Sequence, residues 1–265
     1  MSFPLSNTID GKLKNTAVNY LVTVSTNLQS VELPTGDSIP FAVLEREVEN
    51  PRLTLNPDGT LDVIAPENTP TNSLISSQLD WITKEYKGQV EKLDLIYDKY
   101  GDLTDGLTLW GCSYELREIE GQYQIHINEE TVTISTPSGR NVYSYLCNQI
   151  KEALREVVSS LAESYCNPLK FRFDSLSIRD QQTKWASCST GSTLNFNIRC
   201  AFLPIAHLKY LVAHEVAHLK YQDHSEEFWE LVSSMCPEYE ELRLQLQGFW
   251  YAVHRNSTWQ TLLSD

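Results

Sequence analysis

Residues 214–224 place three histidines at a spacing that one metal ion can bridge. The segment begins His-Glu-Val-Ala-His, and a further histidine follows at position 224. In a helix, His214 and His218 leave the same face one turn apart, with about 5 to 6 Å between their Cβ atoms. Glu215 then lies about 100° around the helix, beside the metal rather than in its coordination shell. His224 follows the predicted helix end, where the chain can turn back. The spacing predicts one Zn²⁺ ion per chain.

Two kinds of zinc site compete for this pattern. Structural sites usually complete a tetrahedron with cysteine-rich ligands, whereas three histidines leave one coordination position for water. Zinc lowers the pKa of such a water to about 7, and a neighbouring carboxylate can take its proton. The pattern therefore favours metal-assisted hydrolysis with Glu215 as the acid/base. A partner-binding module with a structural zinc stays open, and Glu238 competes with His224 as third ligand.

The residues before the motif predict a helix. Pro204 suits a first helical turn, where its missing N–H costs nothing. Apolar residues then recur every three or four positions up to Leu219, which predicts a helix packed against the core. His207 lies seven positions before His214, on nearly the same face but about 10 Å away along the axis. It is too distant to be a ligand, and we expect a half-exposed surface histidine.

Composition limits the class of protein. A chain of 265 residues can bury a sizeable core in one large or two small domains. It contains no apolar stretch of membrane-spanning length, and residues 1–10 lack the features of a secretory signal, so we expect a cytoplasmic protein that does not act at a membrane. The six cysteines form no C-x-x-C pair and are expected to be free thiols.

The charge is unevenly distributed. The net charge is −14, yet residues 151–223 carry nine basic and seven acidic side chains. The acidic remainder argues against generic binding of nucleic acid, while the less acidic segment could still admit an anionic substrate. The oligomeric state cannot be read from the sequence.

The pattern along the chain predicts an α+β fold in three parts. Residues 1–36 look like an N-terminal extension, residues 37–138 a β-rich region with a helical excursion, and residues 139–265 a mostly helical part with a small antiparallel sheet. Asn56-Pro-Asp-Gly between two alternating runs predicts a hairpin turn. Helical periodicity is predicted over about residues 73–100, for about 24 residues from position 141, and over residues 225–236 and 238–251.

Several motifs together resemble a known family. In the second half they are Thr183-Lys-Trp-Ala-Ser-Cys-Ser, Asn197, Pro204, Tyr210-Leu-Val-Ala-His-Glu-Val-Ala-His-Leu and His224-Ser-x-x-Phe-Trp. Upstream they are Arg52-Leu-Thr-Leu-Asn-Pro-Asp-Gly, Ala65-Pro, Trp81-Ile-Thr-Lys and Gly111-x-x-Tyr-x-Leu. Over about residues 40–250 the chain resembles the YgjP-like metallopeptidases. One departure is Ala186, where the family usually has glycine.

The resemblance implies a zincin-like hydrolase that cleaves peptides or proteins, with His214, His218 and His224 as ligands and Glu215 as acid/base. Members of this family are also described as UTP pyrophosphatases, which makes nucleotide cleavage the alternative activity. The sequence contains no glycine-rich phosphate loop, and this disfavours the alternative.

Four further residues are candidates for contacting the substrate or orienting the ligands: Lys184, Trp185, Asn197 and Asp223. For Trp185, packing of the loop is the competing interpretation. By analogy with zincins, residues 193–198 are predicted to form an edge strand that pairs with an extended peptide. A nucleophilic Cys188 is disfavoured because the histidines that could activate it are assigned to the metal.

Overall fold

The structure is a computed structural model that describes residues 29–264, and its fold is α+β. The strands are β1 (Gln29–Glu32), β2 (Ser38–Glu45), β3 (Arg52–Leu55), β4 (Leu61–Ala65), β5 (Leu107–Leu109), β6 (Cys112–Glu120), β7 (Gln124–Ile127), β8 (Thr131–Thr136), β9 (Ser175–Arg179), β10 (Ala186–Cys188) and β11 (Thr193–Asn197). The helices are α1 (Thr71–Ser77), α2 (Leu79–Tyr100), α3 (Val142–Leu169), α4 (Ile205–Ala217), α5 (Glu226–Met235), α6 (Tyr239–Arg255) and α7 (Ser257–Leu262).

The first eight strands form two sheets with the same topology. Their strand orders are β1-β2-β4-β3 and β5-β6-β8-β7. In each sheet the two inner strands are parallel and each outer strand is antiparallel to its neighbour. A long helix follows each sheet, α2 after the first and α3 after the second. The β-rich region thus repeats one arrangement of strands, although the sequence shows no repeat.

The predicted hairpin is confirmed between β3 and β4, which pair antiparallel. Arg255, at the end of α6, links the turn of this hairpin to the rest of the chain by hydrogen bonds. The Arg255 Nε–H donates to the carbonyl oxygen of Pro57 at 3.2 Å, and its Nη2–H donates to Oε1 of Gln89 on α2 at 2.7 Å. A single side chain therefore ties the first sheet to the carboxyl-terminal helices.

Apolar side chains form two clusters. The smaller, between Leu33 and Ile82, lies under the first sheet. The larger runs from Leu93 to Leu262 and combines the second sheet, α3 and the helices of the histidine motif. A domain division at residue 139 stays a prediction, although the second sheet shares its core with the helical part. Of the predicted extension, residues 29–36 form β1 and the following turn, and residues 1–28 lie outside the described residues.

Helix α4 is the predicted helix of the histidine motif. Pro204 stands at its N-cap, and its side chains are buried on most of its surface because α3, α5 and α6 pack around it. The prediction for His207 is wrong, since this side chain is fully buried. Its Nε2 lies 3.0 Å from Oε1 of Gln245 on α6, and burial lowers its pKa to about 4. The periodicity of α4 alone could not indicate that α6 covers this face.

The strand β11 is not the free edge that the zincin analogy predicted. The third sheet has the order β10-β11-β9, so β11 is the inner strand, parallel to β9 and antiparallel to β10. An extended peptide cannot pair with a strand whose two sides are occupied. The edge strand that packs against α4 is β10.

The remaining helices differ from the sequence prediction mainly at their ends. The helix predicted from position 141 has 28 residues, and the last predicted helix extends to Arg255. Helix α7 was missed, and the Asn256 side chain caps it by accepting the N–H of Trp259 at 2.8 Å. Between residues 29 and 264, no helix is long and apolar enough to cross a membrane.

The turn between β5 and β6 supports the start of α4. Trp110 and Gly111 form this two-residue turn, and both have positive φ, 55° and 80°. Their N–H groups donate to the carbonyl oxygens of Ala201 and Phe202 in the short 3₁₀ helix (Ile198–Phe202) before α4. A Cβ atom on Gly111 would lie 2.7 Å from Cγ of Pro204. The glycine therefore provides both the backbone conformation and the space at the α4 N-cap.

We expect Gly111→Ala to lower the free energy of unfolding by about 2 to 5 kcal/mol, because backbone strain and overpacking at Pro204 add together. Gly139→Ala is the matched control, since Gly139 also has positive φ (72°) but a Cβ there meets no atom within 4 Å. It should cost about 1 to 2 kcal/mol. Urea unfolding of both variants measures the difference, and equal costs would show that the contact with Pro204 is unimportant.

Candidate metal centre

The three histidines of the motif converge on one point. Nε2 of His214 lies 3.2 Å from Nε2 of His218 and 3.2 Å from Nε2 of His224. The three candidate ligand nitrogens, one from each ring, all lie within 4.8 Å of one another. Among the described residues, this is the cluster of histidine, cysteine or acidic side chains that could hold a metal ion.

The end of α4 determines where the second and third histidines lie. His214 belongs to the last turn of the helix, and His218 is its C-cap. The chain then leaves the helix, and the carbonyl oxygen of Tyr221 lies 2.9 Å from Nδ1 of His218. A proton on Nδ1 donated to this carbonyl leaves the lone pair on Nε2, which faces the cluster. The same turn carries the chain back so that His224 reaches the cluster just before α5.

Phe228 packs against all three imidazoles. This side chain of α5 is fully buried, and its ring centroid lies 4.9 Å from that of His214, 4.6 Å from that of His218 and 4.8 Å from that of His224. One aromatic ring therefore restricts the rotamers of the whole cluster.

Trp229 extends this support to the exposed side of the cluster. Its ring is nearly parallel to that of His224, with centroids 5.6 Å apart, and to that of Tyr239 on α6, 5.4 Å away. The guanidinium carbon of Arg243 lies 4.6 Å from the Trp229 centroid. His224, the most exposed of the three histidines, is thus held by a stack of aromatic side chains from α5 and α6.

Burial and neighbouring charges lower the pKa of two of these imidazoles. Burial is the main reason that the pKa of His214 falls to about 3, and the charges of His218, His224 and Arg243 act in the same direction. Burial also lowers the pKa of His224, while the nearby carboxylate of Asp223 opposes the shift. Neutral imidazole is the form whose free nitrogen can bind a cation.

Glu215 lies on α4 next to the cluster and is 4% exposed. Burial raises the pKa of its carboxyl group to about 8, whereas the backbone amide of Cys188 and the charge of Lys184 favour the ionised form. Its Oε2 atom is buried and has no hydrogen-bond partner within residues 29–264. A buried carboxylate oxygen without a partner is costly, and such atoms occur where a ligand or a proton transfer needs them.

Asn197 and Lys184 are linked through the loop between β9 and β10. The buried Asn197 side chain donates to the carbonyl oxygens of Gln181 at 2.7 Å and Lys184 at 2.8 Å, and it accepts the N–H of Arg199 at 3.1 Å. Asn197 therefore holds the loop between β9 and β10 and does not face the histidines. The side chain of Lys184 is exposed, and its charge acts on Glu215.

Trp185 belongs to the core. Its ring packs edge to face against Trp250 of α6, with centroids 5.0 Å apart, and its Nε1–H donates to the carbonyl oxygen of Leu246 at 3.3 Å. This environment favours loop packing over contact with a substrate.

Three other candidates lie near the cluster without joining it. Asp223 is exposed and, within the described part of the chain, makes no hydrogen bond to a histidine of the motif. Glu238 is exposed at the N-cap of α6 and is absent from the cluster. Burial and the charge of Glu215 raise the pKa of Cys188 to about 11, which disfavours the thiolate that a nucleophile requires.

Phe228, Trp229 and Arg243 also belong to the site, although no sequence pattern assigns them a role there. The four-residue spacing from His224 to Phe228 was visible in the His-Ser-x-x-Phe-Trp motif, but spacing alone does not tell a ring that supports ligands from an ordinary core residue. Arg243 lies 19 positions after His224, and only the packing of α6 on α5 brings it near.

Comparisons with known proteins identify the family of this chain. No curated protein matches the chain. One solved structure that matches is the crystal structure of the metallopeptidase zymogen of Pyrococcus abyssi abylysin, at 27% identity over 32% of this chain and 87% of that chain, with a TM-score of 0.30. The profile of the family described as YgjP-like, metallopeptidase domain, matches residues 49–249. This match covers most of the chain, from just before β3 to beyond the histidine motif, and on that basis the chain belongs to the YgjP-like metallopeptidase family.

Proposed function

We propose that this protein is a zinc-dependent peptidase in which His214, His218 and His224 bind one zinc ion and Glu215 is the general acid/base. The observation that carries the proposal is the convergence of three Nε2 atoms beside a buried carboxylate. The family match supports a metallopeptidase acting on peptides or proteins, and the donor set supports zinc as the metal.

The donor set fits zinc in both distance and chemistry. Imidazole nitrogens about 2.0 to 2.1 Å from one zinc ion, at tetrahedral angles, would be about 3.3 Å apart. The two shortest Nε2 separations here are 3.2 Å. Three neutral nitrogen donors without a cysteine suit a catalytic site, which keeps a coordination position open, better than a closed structural one.

Bound zinc would supply a Lewis acid that polarises a carbonyl group and makes water more acidic. The protein's own contribution is proton transfer by Glu215. Burial favours the protonated form of this carboxyl group, whereas a zinc cation held by the histidines would favour the carboxylate, whose unpartnered Oε2 can accept a proton from the attacking water and later deliver it to the departing amine nitrogen. The burial that raises the pKa of this carboxyl group also keeps other water molecules from competing for it.

The edge strand β10 is the place where a peptide backbone could be aligned beside Glu215. It pairs with β11 on one side and packs against α4, and the amide of Cys188 at its end acts on the Glu215 carboxylate. A substrate added to this edge as a further strand would form main-chain hydrogen bonds whatever its sequence. Lys184, just before β10, would contribute a positive charge near the same edge.

Zinc-loaded protein should hydrolyse peptides and leave UTP intact. Chelation should abolish hydrolysis while leaving the far-ultraviolet circular dichroism unchanged, because an extensive apolar core holds the helices without the metal. Mass spectrometry of a peptide library and of UTP, each with and without chelator, tests both points. Phosphate release from UTP would indicate that a nucleotide and not a peptide is the substrate. Unfolding on chelation would indicate a structural zinc.

Glu215→Gln should retain zinc but lose about 10² to 10⁴ in turnover, some 3 to 5 kcal/mol of barrier, because the amide cannot carry the proton. Glu227→Gln, the same chemical change at an exposed position on α5, should keep the wild-type rate. Zinc content is measured together with peptide turnover. A Glu215→Gln protein purified without zinc would mean that Glu215 binds the metal.

His224→Ala should lower zinc occupancy with little loss of folded structure, because this imidazole is exposed and the core packs without it. Glu238→Ala should leave occupancy nearly unchanged, since Glu238 lies outside the histidine cluster. Metal analysis of the two purified variants decides the third ligand. Normal zinc in the first and loss in the second would transfer that role to the carboxylate.

A further inference from the structure

Arg243 is an exposed cation whose side-chain hydrogen-bond donors have no acceptor among residues 29–264. It lies on α6, one turn after Tyr239, and its guanidinium covers the Trp229 ring with Cζ 4.6 Å from the centroid. Within residues 29–264 no carboxylate or carbonyl accepts a hydrogen bond from its side chain. Stacking on an aromatic face occupies the flat side of the guanidinium and leaves the N–H groups at its edge free.

The acidic side chains next to Arg243 on α6 are engaged elsewhere. Glu241 accepts a hydrogen bond from Lys99 of α2 at 2.8 Å, and Glu240 accepts one from the hydroxyl of Tyr239 at 3.3 Å. Arg255, the other basic residue after position 223, donates to Pro57 and Gln89. Although the net charge of the chain is −14, Arg243 has no ion-pair partner in the part of the chain that the structure describes.

This guanidinium lies close to the candidate metal centre. The Trp229 centroid is 5.6 Å from that of His224 and 4.6 Å from Cζ of Arg243, so Cζ is within about 10 Å of the imidazole, roughly three residues of an extended peptide. Its charge also acts on His214. The free donors are therefore within reach of a substrate whose scissile bond lies at the histidines.

We propose that Arg243 binds a carboxylate of the substrate two or three residues from the scissile bond, so that the enzyme prefers acidic peptides. The inference rests on the proposed peptidase function. A planar guanidinium with free edge donors fits a carboxylate with two parallel hydrogen bonds, which a lysine at this position could not reproduce. The carboxylate can belong to an aspartate or glutamate side chain or to the free carboxyl terminus.

The test compares matched peptides in wild-type protein, Arg243→Gln and Arg243→Lys. Each peptide is made with glutamate or glutamine at one position near the cleavage site, and each with a free or an amidated carboxyl terminus. Wild type should cleave the carboxylate-bearing member about fivefold to tenfold faster in kcat/KM, mainly through KM. Arg243→Gln should abolish this ratio and Arg243→Lys should reduce it. Arg140→Gln, the same change in the exposed turn before α3, should preserve it.

The two peptide comparisons identify the source of the carboxylate. Faster cleavage of the glutamate peptide than of the glutamine peptide indicates a side-chain carboxylate, and faster cleavage of the free than of the amidated peptide indicates the carboxyl terminus. A wild-type protein without preference, or Arg243→Gln with an unchanged ratio, would overturn the inference. An equal loss on all peptides would also overturn it, because Arg243 would then only support Trp229 and His224.

A binding measurement separates failure of this inference from failure of the peptidase assignment. Zinc-loaded Glu215→Gln protein is titrated with acetyl-Ala-Glu-Ala-amide, acetyl-Ala-Gln-Ala-amide and acetyl-Ala-Gln-Ala with a free carboxylate, while the Trp229 indole N–H signal is followed by NMR. The inference is supported, even if no peptide is cleaved, when a carboxylate-bearing probe causes a saturable shift of this signal and the neutral probe causes none. The shift should also disappear when Arg243→Gln is added to the protein. Equal responses to all three probes contradict it.

Discussion

The rest of the site depends on the close approach of three imidazole nitrogens, with Nε2 of His214 3.2 Å from Nε2 of both His218 and His224. Three polar rings crowded this closely lose rotamer freedom and contact with water, and burial keeps His214 from taking up a proton near neutral pH. The surrounding packing must therefore hold the rings together. Phe228 contacts all three, Trp229 supports His224, and the carbonyl of Tyr221 orients His218.

The same packing explains why α4 departs from an ordinary amphipathic helix. It is surrounded by α3, α5 and α6, so even its polar residues His207 and Glu215 are buried. His207 is accommodated by Gln245 on α6. One carboxylate oxygen of Glu215 has no hydrogen-bond partner among the described residues. The hydrogen bond from the Cys188 amide and the charge of Lys184 offset only part of the cost of burying this group. This unpartnered oxygen beside the histidines supports the proposed role of Glu215 in proton transfer.

Supports for this helix come from distant parts of the chain. The β5–β6 turn donates two backbone N–H groups to the 3₁₀ helix before α4, and Asn197 fixes the loop that leads into β10. On the outer side, α6 brings Tyr239 and Arg243 against Trp229. The second sheet and the helical part therefore share one core, and the geometry of the histidines depends on both.

The sequence by itself determined the features that depend on local spacing. The i, i+4 pair of His214 and His218, the helix after Pro204 and the β3–β4 hairpin follow from helical periodicity and turn chemistry, which act within a few residues. Only the tertiary structure determined which distant segment packs against each face of a helix or strand. It buried His207 under α6, placed β11 inside its sheet so that β10 became the edge, moved Trp185 into the core and brought Arg243 near His224. The reason is physical, since periodicity specifies which face of an element is apolar but not which distant segment packs against it.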